Sequence, residues 1–185
     1  MKKARGFTLI ELLVTLVVAA ILATIAVPNF GTLIKNDRQS AQINTLVAAI
    51  DLARSEAVKR GGSVTTTICA GTTVTCTAGA ATWTNGWVVL YTPAPPSTSG
   101  PVLLQTYPAL SGANTLMTAD TGGSGVGSIS FHSNGLSTLT APVTFRDCDV
   151  RGAKFARAVN LSITGAPSAV TTVGMDANNN PLTCP

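Results

Sequence analysis

Apolar and polar positions divide the chain into three stretches. From Phe7 to Phe30 runs a nearly continuous apolar segment of 24 residues, broken by one carboxylate, Glu11, and a few short polar side chains. A helix of that length crosses about 30 Å of hydrocarbon, where an acid costs about 2.5 to 3.5 kcal/mol at the bilayer centre. Glu11 therefore needs a partner. In the second stretch, 31–60, Ile43, Leu46, Val47, Ile50, Ala53, Ala57 and Val58 recur at three- and four-residue steps, with Arg38, Gln42, Asp51 and Lys59 on the opposite face. This predicts an amphipathic continuation of the same helix, from about Phe7 to Arg60, ended by Gly61-Gly62. Pro28 lies inside the pattern and removes a backbone donor, so a bend is expected there without a break.

After Gly62 the chain changes to short Thr-, Ser- and Val-rich runs separated by turns, the pattern of antiparallel strands. Strands are expected near 63–69, 86–92, 102–106, 115–117, 128–132, 143–148, 156–163 and 169–175. The proline-rich segment 93–101 and the glycine-rich segment 121–127 read as loops. The predicted class is α+β: a long N-terminal helix, half membrane-spanning and half amphipathic, packed on one antiparallel β-sheet head (61–185).

The formal charge of +4 suggests a nucleic-acid partner only until its distribution is read. Lys2, Lys3 and Arg5 precede the apolar run, where they would orient it with its start on the cytoplasmic side. Without them, nine Lys and Arg face eight Asp and Glu, and beyond Gly61 the charges balance. A DNA reading must therefore rest on the cluster Arg146, Arg151, Lys154 and Arg157, with which Asp147 and Asp149 interleave and which no aromatic ladder accompanies. Mutually paired surface charges explain that cluster more simply.

Four cysteines in a head outside the cytoplasmic membrane point to disulfides. Three pairings are open. Cys69 with Cys76 would close a short loop and Cys148 with Cys184 would anchor the tail, which makes this the favoured pairing. No Cys-x-x-Cys occurs and His132 is the single histidine, so no metal site is expected. Asp176-Ala177-Asn178-Asn179-Asn180 has the oxygen alternation of a calcium loop but lacks its glycine and distal glutamate, and reads as a hairpin turn. Neither a cofactor nor catalytic residues are expected, since His132 has no identifiable nucleophile or paired acids around it. Trp83 and Trp87 read as core aromatics with their N–H groups on backbone acceptors.

The string Gly6-Phe7-Thr8-Leu9-Ile10-Glu11, behind a basic leader, resembles the type III signal of type IV pilins and type II secretion pseudopilins. An ordinary secretory signal has a shorter apolar core and a small-residue cleavage site, and a plain anchor has no use for Glu11. The resemblance implies a leader at 1–6 removed after Gly6 by a prepilin peptidase, N-methylation of Phe7, and a pairing of the Phe7 amine with Glu11 during assembly. A second resemblance, carried by Arg54-Ser55-Glu56-Ala57-Val58-Lys59-Arg60, Cys69, Cys76, Trp83-Thr84-Asn85-Gly86-Trp87, and Ile129-Ser130-Phe131 with Gly135, is to the GspH/FimT family of minor pilins and pseudopilins. It implies a pilin-like shape and a single-pass inner-membrane protein with a periplasmic head. Its partners would be inner-membrane lipid, then other major and minor pilins and the inner-membrane assembly platform, on the way to a pilus at the cell surface. The expected role is a minor pilin of the tip or priming complex of a type IV pilus, with a type II secretion pseudopilin as the alternative. A DNA-binding minor pilin for natural transformation is the third reading, but the family's C-terminal Gly-Arg-x-Arg signature has as its nearest equivalent here Gly165-Ala166-Pro167-Ser168, without arginine.

Overall fold

The computed structural model describes residues 6–76 and 82–185; Lys2, Lys3 and Arg5 of the expected leader lie outside them. One helix, α1 (Leu9–Arg60), is followed by β1 (Thr65–Ala70), β2 (Trp87–Thr92), β3 (Val102–Tyr107), β4 (Thr115–Asp120), β5 (Ser128–Phe131), β6 (Val143–Cys148), a 3-10 turn at Ala153–Phe155, β7 (Arg157–Leu161) and β8 (Pro167–Ala169). The chain forms two compact units that divide within α1, the first ending at Asp37 and the second comprising Arg38–Pro185.

In the first unit the helix runs through position 28 without interruption, and every large apolar side chain from Phe7 to Ile34 is at least half exposed. Its short polar residues do not need outside partners. Thr15 and Thr24 donate to the carbonyls of Leu12 and Ile21 at 2.8 and 2.7 Å, and Asn29 donates to that of Ile25 at 3.1 Å. Hydroxyls and amides satisfied within their own helix are what an apolar surrounding requires.

In the second unit the helix buries Gln39, Ile43, Leu46, Ala49, Ile50, Ala53 and Ala57. This is the predicted stripe with three changes: Val47 is only partly buried, Val58 is 52% exposed, and Gln39 and Ala49 join the buried face. The helix stops at Arg60 because Gly61 and Gly62 take φ of +65° and +59°, where side chains are strained, and the Gly61 amide caps Ala57 O at 3.2 Å. Glu56 pairs with Lys59 and Arg60 in the last turn, and the Arg60 guanidinium lies 3.6 Å from the centre of the Tyr91 ring.

The head contains two four-stranded antiparallel sheets, ordered β3-β2-β1-β5 and β4-β6-β7-β8, where the sequence suggested one. Alternate residues of their inner faces, among them Ile68, Val89, Ile129, Phe131, Val143, Phe145, Val159 and Leu161, form one core with the helix stripe. The expected strand at 169–175 is a further difference. Pairing with β7 ends at Val159 and Ala169, and Gly174, at φ +78°, turns the chain so that its amide reaches Ala156 O at 2.8 Å. Its β-branched composition was overridden by the turn.

Both outer faces are covered by disulfide-held segments. Cys69–Cys76 closes a separation of 7 residues over Val88 and Leu90, and Cys148–Cys184 closes one of 36 over Ala156, Ala158 and Leu182. Removing the second bridge by Cys148→Ser with Cys184→Ser should destabilise the head by about 3 kcal/mol. That corresponds to a midpoint lower by about 10 °C in thermal unfolding; an unchanged midpoint would mean the tail is held by its packing alone.

Candidate assembly site

The N-terminal end of α1 is built from Thr8. Its hydroxyl accepts from the Glu11 amide at 3.3 Å and its carbonyl from the Leu12 amide at 3.2 Å, which makes Thr8 the N-cap and Glu11 the third helical residue. The spacing Thr-x-x-Glu is that of a capping box, and a carboxylate in the first turn also faces the positive end of the helix dipole. Glu11 is exposed, and among the described residues no side chain bonds its carboxylate. Gly6 and Phe7 precede the helix, with Phe7 84% exposed. This end therefore offers one unpartnered acid beside an exposed apolar surface. The helix is long and apolar enough to cross a membrane.

A buried polar cluster in the second unit joins the helix to β4 and β6. Gln39, fully buried, donates to the Asp147 carbonyl at 3.2 Å and accepts from Arg151 at 3.0 Å. Asn114 donates to Gln42 Oε1 at 2.6 Å and to Asp147 Oδ1 at 3.2 Å, and Gln42 donates to Ser111 O at 3.1 Å. Burial pushes the Asp147 carboxyl up to about 7; the Asn114 hydrogen bond opposes this, Asp149 adds to it, and Arg38 and Arg157 pull it down. The helix's expected polar face is thus not a solvent face throughout, since half-buried Arg38 and Gln42 are drawn into the head.

The four basic candidates do not form one outward patch. Arg151 pairs with Asp149 at 2.7 Å and lies over the Phe155 ring. Arg146 donates to Thr183 in the tail at 3.1 Å, and Arg157 stands across the ladder from Asp147. Lys154 is exposed on the 3-10 turn. Antiparallel register sets Arg146 and Arg157 on opposite faces of the sheet, because successive strand residues face opposite sides, and Arg151 and Lys154 lie outside the strands.

The tryptophans differ from each other. Trp83 donates to Val126 O at 2.8 Å as expected, and its ring meets Phe145 edge-on. Trp87 stacks on Tyr107, but its buried Nε1 has no partner among the described residues, where a backbone acceptor was expected. Asp176 forms a turn, its Oδ1 accepting from the amides of Asn178 and Asn180, both at 2.8 Å. No cluster of three metal-ligating residues occurs among the described residues. Two roles went unread in the sequence: Thr8, whose spacing to Glu11 was available, and Gln39, a polar residue four positions before Ile43 on the apolar stripe. Asn114 carried no such signal.

The model of the family described as type II transport protein GspH matches residues 42–166, and that of the prokaryotic N-terminal methylation motif matches residues 1–27. Crystal structures of the type IV minor pilin FimU of Pseudomonas aeruginosa (strain PAO1) share the fold. The form in space group P65 gives a TM-score of 0.55 at 19% identity, covering 78% of this chain and 98% of FimU. The P21 form gives 0.52 at 23%, covering 75% and 96%. No curated protein matches the chain in sequence. With the family match spanning residues 42–166, more than half of the chain, the methylation motif at residues 1–27, and a fold shared with a pilin, the chain belongs to the family described as type II transport protein GspH.

Proposed function

We propose that this protein is a structural subunit of the tip or priming complex of a type IV pilus, assembled through its N-terminal helix. The observation that carries the reading is the exposed apolar surface from Phe7 to Ile34, in which Glu11 is the one carboxylate and has no bonded partner among the described residues. In lipid or in a filament core, that surface is covered by acyl chains or by other pilin helices, and the acid is relieved only by a positive group. Cleavage after Gly6 would create such a group, the amine of Phe7, which on a neighbouring or the same subunit could pair with Glu11. The partners are then the prepilin peptidase, the inner-membrane assembly platform and other pilins, and the head travels from the periplasm to the pilus.

Glu11→Ala should insert into the membrane normally, yet its share in sheared filaments should fall about tenfold or more, which corresponds to the loss of about 1.4 kcal/mol of pairing. Normal incorporation would remove the assembly role of this residue. Crosslinking in the native host, with mass spectrometry of the partners and of the N-terminus, tests the wider reading. Methylated Phe7 beside type IV pilins supports it, and secretion pseudopilins as partners move the same subunit to a type II secretion system. The DNA-uptake reading has less support, because Arg146 and Arg151 are engaged within the head.

A further inference from the structure

A groove of about 290 Å³ opens on the second unit between the Arg38–Thr45 part of the helix and the segment that follows β3, with Trp87 and Tyr107 on one wall. Most of its polar groups are already used. Gln42 bonds Ser111 and Asn114, and the Thr45 hydroxyl donates to Ala41 O at 2.8 Å. Two donors of the lining residues remain, Arg38 Nε and Trp87 Nε1, each buried and without a partner among the described residues; Trp87 itself is 1% exposed. Native proteins rarely leave such donors unmatched, so each asks for an acceptor.

Arg38 also carries a charge, and among the described residues no carboxylate lies within ion-pair distance of it; Asp147 acts on it only from farther away. Its guanidinium is housed by Gly112, at φ +77°, where any Cβ would collide with it. A cation held in place, two donors and an aromatic wall are complementary to a carboxylate on an apolar stem. A basic side chain would face donors with donors, and a purely apolar one would leave both unmatched. The volume suits a side chain better than an added strand or helix.

We propose that this groove receives an acidic side chain of a neighbouring pilin subunit, its carboxylate pairing with Arg38 and its stem lying against the Trp87–Tyr107 wall. This deepens the assembly reading and rests on it for the source of the side chain. The chain has two tryptophans, so their indole N–H signals in the full-length protein in detergent micelles, assigned with Trp87→Phe, report the groove directly. The probes are acetyl-Leu-Glu-Leu-amide and its glutamine counterpart. The Glu peptide should shift the Trp87 signal with an affinity about tenfold above that of the Gln peptide, a difference of about 1.4 kcal/mol, and Arg38→Gln should abolish the preference. Equal affinities would reduce the groove to an apolar contact, and no shift with either peptide would mean that water serves the donors; both outcomes overturn the proposal. The wild-type comparison needs no variant to fold. In cells, Arg38→Gln with a wild-type melting curve should be processed normally but depleted from filaments about as strongly as the peptides differ; undiminished incorporation would refute a subunit as the occupant. Assignment of the protein to another machine would leave the peptide preference unchanged, so the two readings fail separately.

Discussion

Replacing Trp83 with alanine is expected to cost the head about 3 to 5 kcal/mol, read as a lower midpoint in denaturant unfolding. The side chain is fully buried where several segments meet. Its ring packs edge-on against Phe145 of β6 at 5.1 Å, its Nε1 donates to Val126 O just before β5, and its amide donates to Leu116 O of β4 at 2.7 Å. Phe145 and Leu116 belong to the β4-β6-β7-β8 sheet and Val126 to the segment leading to β5, so the loss opens a cavity in the core that both sheets share. Trp83→Phe should cost less, about 1 to 2 kcal/mol, because Val126 O keeps the Thr118 hydroxyl at 2.8 Å as a second donor. Trp87→Phe forfeits no hydrogen bond among the described residues and should cost about 1 kcal/mol or less. A Trp83→Ala head as stable as the parent would show that the core closes over the missing ring.

Stability of the head should fall as pH rises from about 4 to about 8, and Asp147→Asn should remove most of that fall. The folded state holds the Asp147 proton up to about pH 7, whereas an ordinary aspartate loses it near 3.8. Raising the pH through this window therefore takes a proton more readily from the unfolded chain than from the folded one, and the folded state loses stability throughout it. The full difference would be about 4 kcal/mol at 1.36 kcal/mol per pH unit, and relaxation around the buried group should bring the measured value nearer 2. The geometry accounts for the preference. Asp147 is fully buried, and among the described residues Asn114 Nδ2 is the one side-chain donor to its carboxyl, so the charged form lacks the hydrogen bonds that would offset its desolvation. Unfolding curves at pH 5 and pH 8 decide it: the variant should match the parent within about 1 kcal/mol at the lower pH and exceed it at the higher. Parallel pH dependence in both proteins would assign the effect to other groups.

The helix and the strands differ in how far local pattern reaches. The helix was legible to within two residues, expected from Phe7 and found from Leu9 to Arg60, because three- and four-residue apolar spacing and a glycine pair at its end act within a turn or two of the backbone. The glutamate in the apolar run and the favoured cysteine pairs were legible for similarly direct reasons: an acid in hydrocarbon stands out, and few pairings of four cysteines exist. Strand positions came through from composition, but the segment after Ala169 did not, since its valine and threonines favour a strand and only its approach to β7 and the positive φ of Gly174 decide otherwise.

By itself, then, the sequence determined a long helix with an exposed apolar first part, a β-rich head and an acid in need of a partner, all properties of residues near one another in the chain. Only the tertiary structure decided that the strands divide into two sheets, that Arg146 and Arg151 turn to partners inside the head, and that Gln39, Asn114 and Asp147 meet in a buried cluster. The physical reason is sequence separation. Asp147 lies 108 residues from Gln39 and 33 from Asn114, and whether a polar side chain is solvated or buried among such partners is set by packing that no local spacing records.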